Sequence, residues 1–180
     1  AARLQLMGRR LEGEAAEFEL CAPKLSALRA VLLRQQQAVL DPLAGDRLRD
    51  LVRDMRHSSQ GTLFKLGAGK AFARLGAQLQ DSLGQSERAL DELEQMLRAS
   101  VQLLNAEYGL NLEVPLRPAL DGHQRELERV RDGYDRYVGV TQIWRLAQPD
   151  FLDRFCRLLL SRVRVVFEGI GHDVEQWCQQ

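Results

Sequence analysis

Aromatic side chains are scarce in this sequence, at 6% of its 180 residues. No long stretch alternates apolar with polar residues, and the Leu-, Ala-, Arg-, Gln- and Glu-rich composition favours helix over strand throughout. There is no surplus of charge: 25 Lys plus Arg balance 25 Asp plus Glu. A neutral chain offers no whole-molecule field to attract nucleic acid, and none is expected as a partner. Only three cysteines occur, Cys21, Cys156 and Cys178, with no CxxC pair, which excludes a zinc or redox motif and reads as free cytosolic thiols. No long apolar run exists either. The longest candidate, residues 158–167, is broken by Arg162 and Arg164 and falls short of the roughly 20 residues a membrane span needs.

Proline is also rare, and its absence between Pro42 and Pro115 leaves room for one long helix. That interval carries Leu75, Leu79, Leu83, Leu90, Leu93, Leu97, Val101, Leu104 and Tyr108 at steps of three, four or seven. This spacing lines one face of an α-helix and permits coiled-coil-like packing. Ser86 stands where the stripe calls for an apolar residue, so one layer of the seam is expected to be weak.

Other helices follow from the same periodicity. Leu4, Met7, Leu11, Ala15 and Phe18, then Leu25, Leu28 and Leu32, form a first helix that Pro23 should kink or divide. Turn chemistry at residues 41–46 separates it from a second, capped by Asp46 and ending near residues 58–61. Gly109 is placed to cap the leucine helix in the left-handed conformation, and residues 111–118, with two prolines, read as an extended crossover. A fourth helix starts after Asp121 and Gly122. Pro149 opens a last one, bearing Phe151, Phe155, Leu158, Leu159, Val163, Val166, Ile170, Val174 and Trp177. The expected fold is all-α, an elongated antiparallel helical bundle of four to five long helices in a single stalk-like domain over residues 1–180. The chain begins at Ala1 and is expected to be a piece of a longer one.

Residues 61–76 break this regularity. Gly61, Gly67, Gly69 and Gly76 are mixed with Leu63, Phe64, Lys65, Leu66, Lys70, Phe72 and Arg74, which predicts a bend or a mobile apolar and basic tip. Residues 55–80 hold Arg56, Lys65, Lys70 and Arg74 but no acid downstream of Met55. Apolar residues interleaved with cations suit contact with an anionic membrane surface, and Leu63, Phe64, Lys65, Leu66, Lys70 and Phe72 are the candidate contact residues for lipid or a protein partner. The competing reading makes the same apolar residues a cap on the bundle end, with the cations solvated.

Catalytic patterns are missing. Residues 66–71 resemble a phosphate loop, yet Phe64 stands where its first glycine belongs and Ala71 where a Ser or Thr would hold magnesium. His57, His123 and His172 show no metal-ligand spacing, and the paired carboxylates have oppositely charged helical neighbours. No cofactor, metal or catalytic residue is assigned. A protein-binding helical scaffold or adaptor with an exposed apolar groove is the simplest functional class this leaves.

Several phrases at helical positions are similar to the C-terminal helical neck and trunk of bacterial dynamin-like proteins. They are Leu103-Leu104-Asn105-Ala106-Glu107-Tyr108-Gly109-Leu110, Tyr137-Val138-Gly139-Val140, Leu146-Ala147 and Arg162-Val163-Arg164-Val165-Val166-Phe167-Glu168. The resemblance covers roughly residues 60–180. It implies a stalk that mediates self-association and carries a membrane-contacting tip, cytoplasmic and peripheral at the inner membrane. GTP and magnesium would belong to a head domain outside these residues, so the fragment itself is expected not to be an enzyme.

Overall fold

The computed structural model describes residues 2–60, 65–138 and 149–180. Among them are five α-helices, one short 3-10 turn and no strand: α1 (Ala2–Leu40), the turn at Asp41–Leu43, α2 (Gly45–Gln60), α3 (Lys65–Tyr108), α4 (Asp121–Val138) and α5 (Pro149–Cys178). The all-α expectation holds. At 44 residues, α3 is about 66 Å long. Pro23 lies inside α1 without dividing it, and its position on an exposed stretch lets water serve the carbonyl its ring leaves unpaired.

The segment expected to bend is helical from Lys65 onward, while residues 61–64 lie outside the described residues. Gly67, Gly69 and Gly76 cost about 1 kcal/mol each against alanine. Burying Phe72 and Leu75, at 5% and 1% exposure, returns roughly 1.5–3 kcal/mol apiece, which offsets that penalty. Packing therefore overrides local propensity here.

Neighbouring helices pair antiparallel. Lys24 on α1 ion-pairs with Glu107 at the end of α3, while Val39 near the end of α1 meets Ser86 in the middle of α3. On α4 and α5, His123 bonds Asp173 at 2.8 Å and Tyr134 stacks edge-on against Phe155. Between α2 and α5, Arg56 lies 2.8 Å from Asp153. Gly169 lets the His123 ring pack closely, since a Cβ there would sit 3.0 Å from the ring.

The leucine stripe is buried from Leu75 through Leu93, but Leu97, Val101, Leu104 and Tyr108 are only half-buried. The anticipated weak layer is instead a polar joint. Ser86, fully buried, donates a 2.8 Å hydrogen bond to the carbonyl of Val39, also fully buried. That carbonyl is in the last turn of α1, where no further helical amide is available to it.

The crossover after α3 starts at Gly109, whose φ of 64° confirms the left-handed cap. It is fastened by side chains rather than by backbone pairing. Asn105 both donates to and accepts from the backbone of Leu112, at 2.9 Å each. Arg117 pairs with Asp91 and lies 3.5 Å from Glu94, and the indole of Trp177 donates to Pro115 at 3.0 Å.

Ser86→Ala leaves the Val39 carbonyl buried without a donor and is expected to cost about 1–3 kcal/mol. Ser86→Leu, which completes the stripe in sequence, overpacks the joint and is expected to cost a similar ~1–3 kcal/mol. Urea denaturation checks both: the midpoint should fall for each variant at constant slope.

Candidate interaction surface

The described side chains build a groove rather than an enclosed chemical site. It lies between the second half of α4 and the first half of α5 and encloses about 650 Å³. Its floor is aromatic and aliphatic: Val130 and Tyr134 from α4, Phe151, Phe155 and Leu158 from α5. Phe155 and Tyr134 stand 5.0 Å apart at 86°, and Phe72 of α3 closes the triangle from beneath, 5.8 Å from Phe155 and 6.3 Å from Tyr134. Three helices thus fix the floor through ring contacts, which favour such edge-to-face arrangements.

The rim is basic. Arg129, Arg154 and Arg162 are exposed and line the groove, opposed by the single acid Glu126. The three arginines hold no ion pair with any other described residue, in contrast to Arg56, Arg98, Arg117 and Arg164. Burial pushes the Tyr134 phenol above its ordinary range, and the nearby Arg162 pulls it back only in part. Leu158 and Val165 on α5 are 59% and 61% exposed and continue the apolar track past Arg162. An apolar floor with a cationic rim can hold an amphipathic anionic partner and supplies no catalytic pair.

Of the residues offered by sequence for membrane or partner contact, Leu63 and Phe64 lie outside the described residues. Lys65 and Leu66 open α3, and Lys70 is exposed one turn later. Phe72, by contrast, is 5% exposed and belongs to the core beneath the groove. Of the six, only Lys70 and Phe72 have described side chains, and they differ: Lys70 is exposed and Phe72 is buried.

Sequence periodicity missed the groove because it assigned Leu158 to the buried face of α5. The signal was a second stripe, Arg154, Leu158, Arg162 and Val165, at steps of three and four. Of the histidines, His57 and His172 are exposed, whereas His123 is half-buried and held by Asp173. Among the described residues no group of three or more potential ligands could hold a metal, and no helix is long and apolar enough to cross a membrane.

Cys156 sits behind the groove wall, 7% exposed, and burial raises its thiol above the ordinary range. The chain matches no family model, no curated protein and no solved structure.

Because the thiolate is the nucleophile, Cys156 is expected to resist alkylation at pH 8 in the folded protein and to react at once in denaturant. Mass spectrometry of iodoacetamide-treated protein measures both. Since its folded pKa is raised, the neutral thiol's contribution is present below the unfolded thiol range and is lost as pH rises through the folded value. Replacement by Ser or Ala should flatten that alkaline loss of stability.

Proposed function

We propose that this chain is the non-catalytic helical stalk of a dynamin-like GTPase, an elongated antiparallel bundle acting in self-assembly and in membrane association or remodelling. The observation that carries the reading is the pairing of two very long helices, α1 of 39 residues against α3 of 44. Such a pair transmits displacement along its length better than a compact bundle of short helices would. The phrases similar to the dynamin-like trunk support it further: one runs through the end of α3 into its Gly109 cap, and another forms the middle of α5.

In this reading the nucleotide chemistry, with GTP and magnesium, belongs to a head encoded elsewhere in the parent gene. The stalk works in the cytoplasm, peripheral to the inner membrane, and contacts anionic lipid through residues 63–66 and Lys70, with Phe72 given over to the core. Apolar groups flanked by lysines suit that task, because each cation adds about 1 kcal/mol of attraction to an anionic leaflet.

A second reading, a helical scaffold or adaptor unrelated to any GTPase, is favoured by the α4/α5 groove. An apolar floor of this size is a usual receptor for an amphipathic helix.

Two measurements decide between them. The parent reading frame is expected to encode GxxxxGK[ST] between a strand and a helix upstream of Ala1; its absence removes the GTPase relation and leaves the adaptor. In liposome flotation, the chain is expected to rise with vesicles containing phosphatidylglycerol and not with pure phosphatidylcholine, and Lys65→Glu with Lys70→Glu should abolish the difference. Equal flotation on both, or none, rules out the membrane role.

A further inference from the structure

From Arg154 to Phe167, α5 carries Arg154, Arg157, Arg162 and Arg164 and no acid. Arg164 is spent on Glu168, at 2.6 Å. Arg154, Arg157 and Arg162 are exposed and hold no ion pair with any described residue, and Leu158 and Val165, 59% and 61% exposed, stand among them. Arg154, Leu158, Arg162 and Val165 follow one another at steps of four, four and three, so they form one row along the helix, with Arg157 and Ser161 beside it. Here α5 is a ridge: the groove against α4 runs along one flank, and a furrow of about 370 Å³ against the start of α2 runs along the other. Val165 lies sixteen residues along α5 from Pro149, about 24 Å of helix. Residues 139–148 are tied at Val138 and Pro149, at the Tyr134 and Phe155 end of the helix pair, and ten residues fixed at both ends extend about 20 Å at most before returning. Covalent reach therefore leaves the Val165 end of the ridge uncovered by them.

We propose that the outward ridge of α5 docks on an anionic lipid surface, with Arg154, Arg157 and Arg162 on headgroup phosphates and Leu158 and Val165 entering the acyl boundary between them. The proposal rests on the membrane part of the stalk reading and adds a second contact to the lysine-flanked segment at the start of α3. Charge selects the occupant. Unpaired guanidiniums are permanently charged and match phosphate oxygens, and each one near an anionic leaflet adds attraction. Arginine stems can lie along apolar surface while their heads stay at headgroup level, so cations and leucine or valine act together on one row. Shape selects it too: a ridge between two furrows offers its convex side to a flat surface, whereas a peptide helix is received by a groove. Position agrees as well. Phe72, two residues after the exposed Lys70, meets Phe155 at 5.8 Å, so Lys70 and Arg154 belong to the same end of the bundle. Both contacts can then engage one membrane, where two weak attachments multiply rather than add.

Partitioning of the whole chain onto vesicles of phosphatidylglycerol mixed with phosphatidylcholine, measured over a lipid series, tests the ridge. Wild type is expected to bind, and added salt should weaken it. Arg157→Glu with Arg162→Glu should weaken partitioning by about tenfold or more, and the neutral pair Arg157→Gln with Arg162→Gln by a smaller factor in the same direction. Leu158→Ser with Val165→Ser should leave a weaker binding that salt removes more readily, because only the electrostatic part survives. Circular dichroism verifies that the variants keep wild-type helix content, which exposed substitutions should preserve. A wild type that does not bind the anionic vesicles overturns both the ridge and the membrane reading. A wild type that binds, with binding undiminished in Arg157→Glu with Arg162→Glu, overturns the ridge alone and leaves the membrane reading to the start of α3.

Discussion

The hydrogen bond from Ser86 to the Val39 carbonyl ties the end of the first helix to the middle of the longest one. A helix terminus cannot be buried without partners for its last carbonyls. Here Val39, in the last turn of α1, is buried completely, and α3 supplies a hydroxyl at the single position where its leucine stripe lapses. That joint sets where the chain turns through Asp41–Leu43 into α2, and hence which face α2 presents to α5. Leu43 at the end of the turn, and Leu48 and Val52 beyond it, reach the core, because its start is held at a fixed level along α3.

From that level the structure divides into two ends of different character. Toward the start of α3, the core is dense and aromatic, with Phe72, Tyr134 and Phe155 drawn from three helices. Toward its end, the stripe is half-covered, and the crossover is strapped on by Asn105, Arg117 and Trp177. Exposed Leu103, Leu110, Leu112 and Leu116 gather in that region. The Lys24 and Glu107 pair there is exposed; its mutual hydrogen bond raises the Lys24 pKa and lowers that of Glu107, yet solvent screening leaves such pairs little weight in stability. The firm end carries the groove, and its ring contacts give a partner a rigid floor to bind against.

Both proposed roles act through surfaces. The described polar groups are spent on holding helices together: His123 on Asp173, Arg56 beside Asp153, Arg117 on Asp91. Among the described residues, Arg129, Arg154 and Arg162 on the groove rim hold no ion pair. A stalk and an adaptor both use such surfaces, which is why the neighbouring gene sequence, and not more of this chain, separates them.

Helix existence was legible in sequence because apolar spacing of three and four residues has one economical solution, burial of one helical face. The Gly109 cap, the crossover before α4 and the first-turn Pro149 were legible for equally local reasons: left-handed backbone, missing amides and fixed φ are properties of single residues. What tertiary structure alone decided were the points where distant segments compete. The glycines of early α3 did not break their helix, because a local penalty near 1 kcal/mol per glycine yields to burial of neighbours such as Phe72, whereas Pro23 leaves α1 continuous on an exposed stretch. Ser86 became a joint, and Leu158 turned outward beside unpaired arginines, only once α1 and α4 had taken their places. Periodicity says that a residue lies on a helical face; which neighbour covers that face depends on contacts between residues far apart in the chain.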